Sequence, residues 1–107
     1  MVDARRIALA LPEAVEQDHH GFPSFRVRGR IFATLPDDDT LRVMLDPDAV
    51  EEAVAAAPDQ CSVLRWGAKV SGVAVHLPAA DPDVVADLLA DAWRRRAPAT
   101  LRRAFER

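Results

Sequence analysis

Residues 24–45, SFRVRGRIFATLPDDDTLRVML, decide the fold. Apolar residues alternate with polar or basic ones in 25–28, in 31–35 and in 41–45, which is the periodicity of half-buried strands. Gly29 interrupts the first two runs, so 24–35 is predicted to form a hairpin. Pro36 and the three aspartates that follow it predict a turn before a third strand.

Two helix starts follow this meander. Asp46-Pro47-Asp48 and Asp81-Pro82-Asp83 each combine a capping aspartate, a proline in the first turn and a second acid. The second start precedes a clean amphipathic helix, with apolar residues recurring at helical spacing from Val85 to Trp93. Between the two helices, 62–66 and 70–77 are predicted as strands.

The two ends of the chain supply the remaining elements. Asp3 can cap a short helix that ends at Pro12, residues 15–20 suit a short strand, and a last helix begins near Pro98 with Leu101, Ala104 and Phe105 facing inward. Consecutive strands with short connections predict an antiparallel sheet, and their alternation predicts one covered and one open face. We therefore expect one α+β domain over 1–107, with helices packed on one face of the sheet.

Composition narrows the class of protein. The chain has 107 residues, of which 50% are hydrophobic and 29% charged, as in ordinary globular domains. No apolar run approaches the roughly 18 residues of a membrane span. The first residues lack a charged start, an apolar core and a small-residue cleavage site, so we expect no secretory signal. Cys61 is the sole cysteine, which excludes an internal disulfide. We expect a cytoplasmic protein without a membrane partner.

Charge is unevenly distributed along the chain. The net charge is −3, yet residues 93–107 hold six arginines against one glutamate, and 37–59 hold eight acids against one arginine. One interpretation is a basic surface on an acidic protein, which suits a nucleic acid. The other is that acids near helix starts and bases near helix ends complement the helix dipoles.

Residues 9–35, LALPEAVEQDHHGFPSFRVRGRIFATL, resemble the start of the MmcQ/YjbR family, and the likeness continues over nearly the whole chain. Its most specific pieces are the hairpin motif, the pair Trp66-Gly67, and the helix 82–96 followed by Ala97-Pro98. The motif residues are Phe25, Val27, Gly29, Phe32 and Ala33. The resemblance implies a CyaY-like fold and a DNA-binding function, and it brings no catalytic motif.

The register of the hairpin decides which of its residues are exposed. If Ile31, Ala33 and Leu35 share the covered face with Phe25, the connection around Gly29 must be an odd-numbered loop with a bulge. An ordinary two-residue turn would instead place Phe32 beside Phe25 and expose Ile31.

The first register predicts a basic platform with one aromatic residue, a composition typical of surfaces for nucleic acids or anionic ligands. Its members would be Arg26, Arg28, Arg30, Phe32, Arg42, Met44 and His76. The alternative is that arginines merely cover apolar sheet surface. The terminal helices offer a second basic surface, made of Arg94, Arg95, Arg96, Arg102 and Arg103.

Other chemistry is poorly supported. His19 and His20 lie beside Asp18, but neighbouring strand residues point to opposite faces, which argues against a shared metal ion. We interpret the aspartates 37–39 as a solvated turn and Cys61 as a small buried hydrophobe. Trp93 belongs to the apolar stripe and so to the core, whereas Trp66 suits either a core or a stacking role.

The sequence therefore leaves two function classes open. The first is a non-enzymatic, weakly sequence-dependent nucleic-acid-binding module. The second is a domain that binds another protein or a small anion and has no nucleic-acid role. We expect no catalytic site, metal or cofactor, because no nucleophile–base pair, convergent ligand set or nucleotide-binding loop is present. The oligomeric state is not indicated.

Overall fold

A computed structural model describes residues 1–106. It contains six strands and four α-helices, with the element bounds as follows: α1 Ala4–Leu9, β1 Val15–His19, β2 Phe22–Val27, β3 Arg30–Thr34, β4 Thr40–Met44, α2 Pro47–Ala56, β5 Cys61–Trp66, β6 Lys69–His76, α3 Pro82–Arg96 and α4 Ala99–Phe105. A 3₁₀ turn, Leu77–Ala79, joins β6 to α3. The predicted α+β class is confirmed.

All six strands form one antiparallel sheet in the order β1-β2-β3-β4-β6-β5. The meander from β1 to β4 follows the chain. The chain then passes through α2 to β5 at the far edge and returns as β6, which pairs with β4. Within the plane of the sheet, the β5–β6 hairpin therefore lies towards one edge and the β2–β3 hairpin towards the other.

Aspartate caps begin three of the helices, as the sequence indicates. The Asp46 carboxylate accepts a hydrogen bond from the Ala49 amide at 2.9 Å, and the Asp81 carboxylate accepts one from the Asp83 amide at 2.8 Å. Asp3 caps α1 in the same way. Each cap satisfies one of the amide groups that the first turn of a helix leaves unpaired.

The core lies between one face of the sheet and the helices. Helix α3 packs across β3 and β4, α2 packs across β5 and β6, and α1 packs on α3. The stripe of α3 is buried as predicted, and the Trp93 indole donates a hydrogen bond to the Pro12 carbonyl at 2.9 Å. The Phe105 ring of α4 packs tilted against Trp93 with ring centres 4.9 Å apart, whereas Ala104 is exposed rather than inward-facing.

The β2–β3 hairpin differs from the register that the apolar pattern favours. Arg28 and Gly29 form a two-residue turn, both with positive φ (52° and 79°), as type I′ turns require. The turn pairs Val27 with Arg30 and Arg26 with Ile31, and a bulge at Phe32 then pairs Phe25 with Ala33. Phe32 is the extra residue of this bulge, and its side chain is buried in the core. Ile31 stays on the face that no helix covers.

Candidate functional site

The face of the sheet opposite the helices, called the open face below, is defined by the strand register. One row of paired positions crosses the whole sheet: Gln17, Ser24, Thr34, Arg42, Ala74 and Ser62. No described helix packs on this face. Because side chains alternate along strands, the neighbouring rows on the same face contain Arg26 with Ile31, Met44 with Gly72, and Trp66 with Lys69.

The strand positions of the open face carry positive charge without acids. Arg26, Arg42 and Lys69 occupy its strand positions. The two strand acids, Glu16 and Asp18, pair with Phe25 and Pro23 and so belong to the other face. Within residues 1–106, none of the chain's 17 acids occupies an open-face strand position. An acidic chain thus presents one basic surface.

Arg26 is held in place by a short hydrogen-bonded relay. Its Nε–H donates to the Ser24 Oγ at 3.0 Å, and the Ser24 hydroxyl donates to the Gln17 carbonyl at 2.8 Å. Ser24 is fully buried although it belongs to the open face, because the half-buried Arg26 side chain lies beside it. The relay uses one nitrogen of the guanidinium and leaves the terminal nitrogens for other partners.

Arg42 lies two strands away from Arg26, in the row of Ser24 and Thr34. Its side chain is half-buried. The acid that acts on it is Asp37, in the turn between β3 and β4. The Asp39 amide donates to the Asp37 carboxylate at 2.9 Å, and this bond, aided by Thr40 and the charge of Arg42, lowers the pKa of Asp37.

Trp66 stands at a corner of the open face. It is 82% exposed, at the tip of the β5–β6 hairpin and opposite Lys69. The sequence left the role of this tryptophan open, and it omitted Lys69 from the basic platform. Strict alternation back from Val73 and Val75 would assign Lys69 to the covered side. The irregular register between Gly72 and Val70, which skips Ser71, brings Lys69 to the open face opposite Trp66, and the sequence does not mark that shift.

Three members of the expected platform lie elsewhere. Phe32 is fully buried in the core because of the bulge, so its predicted exposure is wrong. Arg28 lies in the turn, where its guanidinium donates to the Glu13 carboxylate at 2.6 and 3.0 Å. Arg30 pairs with Val27 and so belongs to the helix-covered side of the hairpin.

The arginines of the terminal helices differ in their contacts. Arg94 pairs with Asp91 at 3.1 Å and with Glu106 at 3.5 Å, and its guanidinium lies over the Phe105 ring. Arg95 and Arg96 end α3, and Arg96 lies within reach of the charges of both Arg95 and Arg30. Arg102 and Arg103 are exposed on α4.

The candidates for metal binding and nucleophilic chemistry stay separate. His20 has a positive φ of 55°, which brings its ring to 4.3 Å from that of His19. The expectation that the two rings point to opposite faces is therefore wrong. Even so, residues 1–106 hold no group of three or more His, Cys, Asp or Glu side chains placed to share a metal ion. Cys61 is buried, and its burial together with the nearby Asp59 raises the pKa of the thiol.

Comparison with models of known protein families identifies the family of this chain. The model of the YjbR family matches residues 9–95, which is most of the chain. The chain belongs to the YjbR family. This family is the one that the hairpin motif and the Trp66-Gly67 pair indicate in the sequence, so that resemblance is confirmed.

A solved structure is similar to this family member over almost its whole length. It is the crystal structure of the Deinococcus radiodurans protein DR2400, described as a DUF419 domain. The TM-score is 0.74 at 20% identity, over 97% of this chain and 86% of that one. At this identity the likeness shows the fold. No curated protein matches the chain. Within residues 1–106, no helix is long and apolar enough to cross a membrane.

Proposed function

We propose that this YjbR-family chain is a nucleic-acid-binding module that holds a single strand along its open face with little dependence on base sequence. The observation that carries the proposal is the absence of acids from the open-face strand positions of residues 1–106, where Arg26, Arg42 and Lys69 lie. A polyanion approaching an acidic protein is repelled by most of its surface and attracted to such a face.

The arrangement of the cations suits a phosphate backbone. Arg26 and Arg42 are two strands and one row apart, about 12 Å at the usual strand spacing and rise per residue. Each can reach a separate phosphate, and each keeps terminal guanidinium nitrogens for it. The relay through Ser24 orients Arg26 before any ligand arrives, so less side-chain entropy is lost on binding.

The apolar members of the open face suit bases. Ile31, which pairs with Arg26, is half-buried, as are Met44 and Leu64, which both pair with Gly72. Trp66 stands exposed at the corner. Bases of a single strand stack on aromatic side chains whatever their identity, whereas the paired bases of a duplex are not free to do so. The face contains no recognisable base-reading signature, which supports weak sequence dependence.

The proposal assigns no reaction to the chain. The Cys61 thiol is buried with a raised pKa, which disfavours the reactive thiolate. His19 and His20 pack on each other, and His19 also packs edge-on against Phe22. These features support a binding role.

Fluorescence anisotropy with a labelled oligothymidine and a matched duplex at low salt tests the proposal. We expect tighter binding of the single strand, with log K falling against log salt at a slope of about −2 for three phosphate contacts. Replacing Arg26 and Arg42 by Gln should flatten the slope by about 1.4. Trp66→Ala should weaken binding at least about fivefold, since stacking contributes about 1–3 kcal/mol per base.

The matched control is the double replacement of Arg102 and Arg103 by Gln on α4. It removes the same charge from a surface that the proposal does not use, so binding should change little. Equal weakening by the two double variants would assign binding to diffuse attraction rather than to the open face. Absence of binding at about 100 μM protein would refute the nucleic-acid role altogether.

A further inference from the structure

A second cluster of cations lies at the end of the molecule where the β2–β3 turn meets the C-terminus of α3. Its members are Arg30, Arg95 and Arg96, called the arginine cluster below. Arg30 belongs to the helix-covered side because it pairs with Val27, and α3 crosses β3 and ends at Arg96. The cluster is therefore separate from the open face.

The carboxylates of this region are already engaged. Glu13 holds Arg28 with two hydrogen bonds, of 2.6 and 3.0 Å, and Asp91 and Glu106 both pair with Arg94. Within residues 1–106, no carboxylate forms an ion pair with a member of the arginine cluster. Three like charges thus stand together without a counter-ion from the described chain.

Arg96 is the most constrained of the three. Its side chain is half-buried, and its Nε–H is buried with no hydrogen-bond partner among the described residues. Burial, followed by the charges of Arg95 and Arg30, lowers the pKa of Arg96. A buried donor without an acceptor and an uncompensated charge both cost stability, and an anion on the terminal guanidinium nitrogens would relieve the second of these costs.

We propose that Arg30, Arg95 and Arg96 bind a dianionic phosphate group. The planar guanidinium donates pairs of hydrogen bonds that match two oxygens of a phosphate, and groups of arginines are a common way to recognise it. The negative end of the α3 dipole offsets only about half a charge. The three guanidiniums therefore leave a net attraction for two negative charges.

The phosphate could be free inorganic phosphate or the head of a phosphomonoester, and both offer the same oxygens. Thermal unfolding of the whole chain in inorganic phosphate or in glycerol 2-phosphate separates these sources. Sodium chloride at equal ionic strength is the reference. We expect the melting temperature to rise with phosphate concentration and not with chloride, as binding to the native state requires. A larger rise with the ester identifies a phosphomonoester, and an equal rise identifies the free ion.

Single replacements of Arg30, Arg95 and Arg96 by Gln should each weaken the phosphate response at least about tenfold. Arg6→Gln, an exposed change of the same charge on α1, should leave it intact. If Arg96→Gln folds poorly, the variants of the exposed Arg30 and Arg95 still test the proposal. In the intact protein, the NMR signal of the Arg96 Nε–H should shift on adding phosphate.

Three results would overturn the phosphate site. They are a melting temperature that responds equally to phosphate and chloride, an Arg96 Nε–H signal that does not move, and a loss in Arg6→Gln as large as in the cluster variants. The outcome is independent of nucleic-acid binding, because the Arg26→Gln and Arg42→Gln variants should keep the phosphate response. Failure of one proposal can thus be told from failure of the other.

Discussion

The two faces of the sheet are built from the same strands but carry opposite kinds of residue. The covered face holds fully buried Phe25, Val43 and Val73, and it contributes to one continuous core with the helices. The open face places Ser24, Thr34 and Arg42 across the same strands. Burial therefore does not distinguish the faces, since Ser24 and Thr34 are buried too.

What separates the two faces is how their buried groups are satisfied. The covered face removes apolar surface from water, which contributes about 25 cal/mol per Å². The open face buries polar groups beneath arginine side chains, where hydrogen bonds such as those of Ser24 satisfy them. The first arrangement stabilises the fold, and the second fixes charged groups at the surface.

The largest expected loss of stability tests the bulge at Phe32, which decides which side chains of β3 lie on the covered face. Phe32→Ala should cost about 3–5 kcal/mol because it empties a fully buried aromatic site. Ile31→Ala, one residue earlier on the open face, should cost about 1 kcal/mol or less. Urea unfolding of both variants checks the difference. Reversed magnitudes would restore the register in which Ile31 is the core residue.

Gly72→Ala tests how closely the strands approach on the open face. A Cβ built at this glycine lies 2.0 Å from the Val43 carbonyl oxygen, a backbone atom that cannot move aside cheaply. We expect a loss of about 3 kcal/mol, near the upper end of overpacking effects. Ala74→Ser, on the same strand and face, is the control and should change the free energy of unfolding by less than about 0.5 kcal/mol. Equal values for both would show that β4 and β6 are less tightly apposed.

Ser24→Ala links the stability of the open face to its proposed role. The change removes the hydroxyl that donates to the Gln17 carbonyl and accepts from Arg26, so we expect a loss of about 1 kcal/mol. If the open face binds nucleic acid, affinity should fall as well, because Arg26 loses its support. Ser62→Ala, in the same row but exposed, should affect neither quantity. Thermal melts and anisotropy measure the two effects.

The smallest effect is expected at the exposed pair of Glu13 and Arg28. The hydrogen bond from Arg28 lowers the pKa of Glu13 from its ordinary value of 4.5. A depressed carboxyl pKa adds stability above the unfolded value and loses it as pH falls through the folded value, but an exposed pair adds little. An NMR titration of Glu13 should show a midpoint below 4.5 that rises in Arg28→Gln. An unchanged midpoint would contradict the pairing.

Local rules made most of the fold predictable. Alternation gave the strands, the Asp-Pro-Asp sequences gave the starts of α2 and α3, and the apolar stripe gave Trp93 its place in the core. These features depend on neighbouring residues and on one hydrophobic face, so they can be read without knowing the partner elements.

The open face was only partly predictable, for physical reasons that particular residues show. Alternation assigned Arg26, Arg42, Met44 and His76 to it, but a bulge shifts the pattern by one residue, and nothing in RIFAT marks Phe32 as the extra one. Ion pairs with distant acids are also invisible in a sequence. Arg28 pairs with Glu13, 15 positions away, whereas within residues 1–106 Arg30 and Arg96 form no ion pair, and only tertiary structure separates them.

Because β5 lies at the edge of the sheet and begins with a buried cysteine, the reactivity of that cysteine can measure how often this edge opens. Cys61, the first residue of β5, is buried, so an alkylating reagent reaches the thiol only when this edge separates. Edge strands open more readily than central ones, because one side lacks a neighbour. With no other cysteine in the chain, the alkylation rate in native buffer reports the frequency of that opening, unmixed with any second site.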